Sequence, residues 1–198
     1  TYKINGGSEE VPTEPPVDDV TGENLAKNKN VSTSGSENDA MGAANAVDGN
    51  TGSRWSSNFS DDAWMAVDLG KAYQVSKVVL NWEGAYGESY KIQTSTDGKT
   101  WKTVKNLTGQ NGGIDTVTFD AVSARYVRMQ GVKRALAYGY SLWEMGVYEA
   151  ATVQNPQFSL ASGSYNGTQN LTISSPTKGV EIRYTTDGSE PNKNSKLY

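Results

Sequence analysis

From residue 24 onward the chain is a succession of short apolar runs broken by turn residues. "WMAVDLG" (64–70), "VSKVVLNW" (75–82) and "YKIQTS" (90–95) place apolar side chains at every second position or nearly so. That is the period of a half-buried strand. "TDGKTW" follows the third run, and Asp97-Gly98 supplies the backbone of a hairpin turn. "TVTFD", "RYVRMQGV" and "SLWEMGVY" continue the series. Helix is limited to one turn over 39–46. Short strands at this spacing predict an all-β fold, an antiparallel β-sandwich. Trp55, Trp64 and Trp101 fall within the strand pattern and are expected in its core.

The flanks read differently. Residues 8–22, "SEEVPTEPPVDDVTG", combine acid and proline with nothing bulkier than valine, the composition of an extended linker. The stub before it, "TYKING", is expected to be the last strand of an upstream domain. After Ala150 a short joint leads into a stretch of low apolar content. Strands are expected there at 157–160, 169–174 and 181–186, in a unit marginal by itself. The expected division is 1–22 remnant and linker, 23–150 the main domain, and 151–198 a partial second β-domain.

Composition narrows the chemistry. Among 198 residues there is no cysteine and no histidine. Disulfide frameworks, thiolate metal sites, Ser-His triads and the usual zinc ligand are thereby excluded. Net charge is −4 and no basic cluster exceeds two or three residues, so nucleic acid is not an expected partner. No apolar run approaches the ~20 residues that span a bilayer.

The residues richest in chemistry lie in "NAVDGNTGSRWSSN" (45–58). Asp48, Asn50 and Ser53, with Gly49 and Gly52 allowing tight curvature, suit a calcium ion, which takes six to eight oxygens. An EF-hand does not fit, because its sixth and twelfth positions would be Ser53 and Phe59. The same residues would also serve an ordinary turn. Beyond this loop, Arg54 can fork onto two hydroxyls, Glu37 and Glu83 lie in neighbouring loops, and Phe59, Tyr138 and Tyr140 are aromatic positions in short loops. Sugars are held by such a combination of aromatic faces and bidentate polar groups. Trp82 could be platform or core. Arg54 could instead stack on an aromatic, while Arg125, Arg128 and Arg134 read as solvated or strand-pairing charges.

The blocks "NLAKNKNVSTSGSEN", "ANAVDGNTGSRWSS", "WMAVDLGKAYQVSKVVLNWE", "YKIQTSTDGKTWKTV", "ARYVRMQG" and "GYSLWEMGVY" together resemble the discoidin, or factor V/VIII type C, family. Within it they look most like family 32 carbohydrate-binding modules. The resemblance covers residues 24–149 and implies a jelly-roll-like, galactose-binding-domain-like sandwich with ligand loops at one end. "SGSYNGTQNLTI" and "IRYTTDGSEP" are similar to a chitobiase-type C-terminal β-domain, here expected to be truncated. Such domains accompany bacterial glycoside hydrolases. The resemblance therefore implies a fragment of a secreted, extracellular enzyme, covalently linked to a catalytic domain.

Carried over by motif, the resemblance implies a structural calcium ion held by Asn45, Asp48, Asn50, Ser53, Trp143 and Glu144, joining an early loop to the last strand. It implies a shallow saccharide site at Glu37, Arg54, Phe59, Glu83 and Tyr138, with Tyr140 an equal candidate by spacing and Trp82 a possible platform. Members that bind galactose commonly use a histidine, which is absent. The expected partner is therefore a polysaccharide such as β-glucan or chitosan, bound without catalysis. Two other readings stand beside it. One is an adhesion discoidin domain for galactose-type glycans or a membrane surface, which typically carries apolar spikes and a terminal cysteine pair. The other is an enzyme using Glu37 and Glu83 as acid and base.

Overall fold

A computed structural model describes residues 22–150, 154–177 and 180–198. The expected stub and linker at 1–21 and the joint at 151–153 lie outside the described residues. The chain divides into two compact units, one being Thr21–Ala150 and the other containing Ala151–Tyr198.

Seven strands build the first unit: β1 Asn30–Thr33, β2 Trp55–Ser56, β3 Trp64–Trp82, β4 Gly87–Ser95, β5 Lys102–Leu107, β6 Ile114–Arg134 and β7 Ser141–Glu149. All pair antiparallel, in the order β2-β7-β3-β6-β4-β5 with β1 also on β3. Runs expected as separate strands are fused. Residues 64–70 and 75–82 form one strand of 19 residues, and "TVTFD" and "RYVRMQGV" belong to one strand of 21. Straight, 19 residues would reach about 60 Å, far beyond a domain of this size. The long strands must therefore bend. They do so where the β3–β6 register shifts, between Asp68 and Tyr73, at the exposed residues 70–72.

Each half of a long strand belongs to a different layer. Residues 64–68 of β3 pair with β1 and with 126–130 of β6, which carries β4 and β5. Residues 75–82 of β3 pair with 114–122 of β6 and with β7, which carries β2. The inward positions of both layers form one buried cluster: Met65, Val67, Ile92, Val127 and Met129 from the first, Trp55, Val78, Leu80, Leu142 and Met145 from the second. Each such side chain contributes about 1.5–3 kcal/mol on burial. The single expected helical turn is two short 3₁₀ turns, Asp39–Met41 and Ala43–Ala46, the first capped by the Asn38 side chain.

Two tryptophans depart from expectation. Trp64 and Trp101 are half-buried, not core. Arg128 alternates with the buried Val127 and Met129, so it points outward, and its guanidinium sits 5.5 Å from the Trp64 ring centroid and 4.2 Å from that of Trp101. Its Nε and Nη2 both donate to Gln93 Oε1, at 2.9 and 2.6 Å. The indoles spend their faces on this cation and cover its stem. Arg128 is therefore held in place, whereas Arg125 and Arg134 form strand and loop ion pairs with Asp68 and Asp61.

In the second unit the strands are only two residues each: β8 Gln157–Phe158 on β9 Ile173–Ser174, and β10 Arg183–Tyr184 on β11 Lys196–Leu197. The three longer expected strands contract to β8, β9 and β10, and β11 is additional. Few apolar positions are available to bury here. Ile173 is buried, its N–H donating to the Tyr198 hydroxyl at 3.1 Å, and Tyr198 meets Tyr184 edge-on at 6.3 Å.

Candidate functional site

The register of the two-residue β2 on β7 organises the site. Trp55 lies opposite Leu142, and both are buried in the core. Their neighbours therefore face the other way. Ser56 is paired with Ser141, and Arg54 comes beside Trp143, its guanidinium carbon 5.7 Å from that ring centroid. Arg54 Nε and Ser141 Oγ are buried without a hydrogen-bond partner among the described residues.

Two glutamates flank this pair of strands. The Glu37 N–H donates to Ser56 O at 2.8 Å, and the Ser56 hydroxyl donates to Glu37 Oε2 at 2.8 Å. On the far side the Glu83 N–H donates to Ser141 O at 2.9 Å, and the Ala85 N–H to Glu83 Oε2 at 3.1 Å. The backbone order is thus Glu37, Ser56, Ser141, Glu83. With strands about 4.8 Å apart, the two glutamate backbones are separated by roughly 14 Å.

Two more loops are zipped together at the same end. Ser57 N–H donates to Tyr140 O at 2.8 Å, and Tyr140 N–H returns to Ser57 Oγ at 2.9 Å. Asp61 Oδ1 accepts from Arg134 N and Nε at 3.0 and 2.9 Å. The fit at Gly139 is so close that a Cβ there would lie 2.2 Å from the Ser57 carbonyl oxygen. Phe59 and Tyr138, one on each loop, are left 56% and 64% exposed.

Two expected sugar contacts are not available. Trp82 is 3% exposed and Tyr140 0%. Trp82 Nε1 and the Tyr90 hydroxyl both donate to Asp115 Oδ2, at 2.8 and 2.6 Å, and Tyr140 donates its hydroxyl to Asp61 O at 2.7 Å. Burial pushes the Tyr140 phenol well above its ordinary value. Of the two tyrosines the spacing leaves equivalent, Tyr138 is therefore the surface one. Trp82 and Tyr140, with ring centroids 6.4 Å apart, form a pedestal under the loops. Ser56 and Ser141 escaped the sequence reading. Ser56 was recoverable in part, since it stands two residues after Arg54, where an extended chain puts both on one face.

The Asp48 turn meets β7, which carries Trp143 and Glu144. Asp48 Oδ1 accepts from Asn50 N at 2.7 Å, Oδ2 accepts from the Ser53 hydroxyl at 2.7 Å, and Gly49 N–H donates to Glu144 Oε1 at 2.7 Å. Gly49 has φ +79°, which favours glycine. Opposite Trp82 and Asn81, β7 slips its register by one residue, leaving Trp143 as the extra one. This bulge leaves both Trp143 and Glu144 half-buried, outside the core. Burial, then the nearby Asp48, raises the Glu144 carboxyl above its ordinary value. At Asp48 burial acts in the same direction, but hydrogen bonds led by those of Ser53 and Asn50 outweigh it and hold that carboxyl low. No described lysine or arginine forms an ion pair with either acid. Two facing carboxylates, a hydroxyl and turn carbonyls make an all-oxygen donor set, which fits a hard divalent cation. Asn45 also belongs to the turn, its Nδ2 donating to Ala40 O and Arg54 O at 2.9 and 3.0 Å.

Residues 45–129 match the family described as NedA-like, galactose-binding domain, and residues 160–198 match the chitobiase/β-hexosaminidase C-terminal domain. Chitosan-binding module 1 of a chitosanase/glucanase from Paenibacillus sp. IK-5 is 46% identical, covers 64% of this chain and 98% of its own, and superposes with a TM-score of 0.62. The chain belongs to the F5/8 type C, galactose-binding-like family.

Other solved structures are similar. Chitosan-binding module 2 of the same Paenibacillus enzyme, solved with chitotriose, is 44% identical over 63% of this chain and 99% of its own, with a TM-score of 0.62. The lectin domain of lectinolysin, solved with Lewis B antigen, is 30% identical over 65% of this chain and 98% of its own, at 0.58. A curated relative, the polysaccharide lyase 8 family protein HylA of Enterococcus faecalis, is 34% identical over 91 residues, 44% of this chain. The match spans 7% of that relative's length. The F5/8 type C match takes in the Asp48 turn, Arg54 and Glu83, while Glu37, Tyr138 and Glu144 fall outside its bounds.

Proposed function

We propose that residues 22–150 are a non-catalytic module that binds a gluco-configured polysaccharide, chitosan or a β-glucan, at the loop end of the sandwich. The observation that carries this is the β2–β7 register, which sets Glu37, Ser56, Ser141 and Glu83 in one row, with Arg54 two residues before Ser56. Phe59 and Tyr138 stand exposed on the two loops zipped beside them. Arg54 would fork onto vicinal hydroxyls, the two carboxylates would accept from hydroxyl or ammonium groups, and the aromatic faces would take the C–H side of a ring. The likeness to two chitosan-binding modules supports the amino-sugar end of this range. Both glutamates already hold a hydroxyl or backbone N–H and are set wide apart, which suits binding and not acid–base hydrolysis.

A calcium ion held by Asp48, Glu144 and Ser53, with the carbonyls of Asn45, Asn50 and Trp143, would pin the loop that presents Arg54. Its role is structural. A shallow site gives modest affinity, and the gain for a tethered, secreted catalytic partner comes from effective concentration. The test is retention on insoluble chitosan, β-glucan and a galactan, with calcium present. Retention on chitosan or glucan that is lost in Arg54→Ala is expected; retention on none of them, or on galactan alone, contradicts the reading.

A further inference from the structure

Lys27 belongs to no expected site, yet its side chain lies against the candidate calcium turn. The turn 24–29 is fastened to the end of the loop by Asn28 N–H donating to Val47 O at 2.7 Å. From there Lys27 runs along Gly49: a Cβ at that glycine would lie 3.0 Å from Lys27 Cε and 3.3 Å from Nζ. Gly49 is also the residue whose N–H holds Glu144. Lys27, Gly49 and Glu144, with Asn24, Asn81 and Tyr148, line one open cavity of about 380 Å³. No hydrogen bond or ion pair ties the ammonium to a described residue. The ammonium thus lies against the very glycine that joins the Asp48 turn to the Glu144 carboxylate, without being bonded to either acid.

We propose that Lys27 is a built-in counter-cation for the Asp48–Glu144 pair, which sets how tightly calcium binds and how far the metal-free fold depends on it. The inference rests on the calcium reading above. Without metal, the ammonium offsets the repulsion of the two acids and keeps the turn docked on β7. With metal, the same charge opposes the ion. For a unit charge near a divalent ion at a solvent-exposed surface, such opposition is on the order of tenfold in affinity. Salt should shrink it. Gly49 then has two duties, the positive-φ turn and the space for this side chain.

The test uses the full 198-residue chain, titrated with calcium alone by calorimetry, alongside thermal melting in chelator. Lys27→Gln is expected to bind calcium on the order of tenfold more tightly at low salt, with a smaller gain at high salt. It is also expected to melt lower than the parent in chelator. Lys27→Arg should behave as the parent does. Equal calcium affinity in parent and Lys27→Gln overturns the role of Lys27 and leaves the calcium reading standing. No calcium uptake by either protein overturns both. Weaker binding in Lys27→Gln would make Lys27 a support of the metal loop, contrary to the proposal.

Discussion

At the scale of single residues, Tyr138 and Tyr140 separate binding from stability. Tyr138 is exposed and outside the core cluster, so Tyr138→Ala should leave the melting curve within about 0.5 kcal/mol of the parent and weaken polysaccharide retention. Tyr140→Phe should do the reverse. It removes the hydroxyl donated to Asp61 O and costs about 1 kcal/mol in denaturant melts. Arg54 is the residue on which the proposed recognition turns. Arg54→Ala should weaken binding of a chitosan oligomer by roughly 10- to 100-fold in calorimetry. Arg54→Lys should not restore it, because a lysine lacks the planar fork. Spacing could nominate both tyrosines but not choose between them, since burial is settled by which loops are zipped together. For the same reason Trp82 could not be assigned from the sequence. Its fate depends on Asp115, 33 residues away, accepting its indole N–H.

At the scale of elements, the loops at the binding end hold their shape through close backbone contact. Gly139 is the tightest such point, so Gly139→Ala should force Ser57 and Tyr140 apart. A loss of about 1–3 kcal/mol in thermal or denaturant melts is expected, together with weakened binding, because both loops shift. The ion pair between β3 and β6 makes a separate prediction. A hydrogen bond from Arg125, opposed by burial, holds the Asp68 carboxyl below its ordinary value of 3.8. A depressed carboxyl contributes stability that is present above its unfolded value and lost as pH falls through its folded one. The parent should therefore lose stability below about pH 4 more steeply than Arg125→Met in melts across that range. Element identity was legible in the sequence because alternation survives any bend. Connectivity was not: residues 64–70 and 75–82 look like two strands, since a strand that turns a corner through Gly70 leaves the same punctuation as a loop. The bulge at Trp143 was equally invisible, because the register depends on the partner strand.

At the scale of the whole molecule, two parts far apart in the chain are joined by a small set of contacts. The loop carrying Asp48 and Arg54 meets β7, which carries Trp143 and Glu144. If calcium bridges them, saturating metal at about 100 times its Kd should add about 2.7 kcal/mol of stability. Asp48→Ala and Glu144→Ala should each abolish that increment in melts with calcium against chelator. Both variants should also lose part of their saccharide affinity, because Arg54 leaves the same loop. The most direct test of the account is a titration of the full chain with chitotriose, followed by NMR of backbone amides. Shifts concentrated at Glu37, Arg54, Ser56, Phe59, Glu83 and Tyr138 are predicted, with β4 and β5 unmoved. Shifts centred on the Trp64–Arg128–Trp101 face, or none at saturating chitotriose and β-glucan oligomer alike, would contradict it.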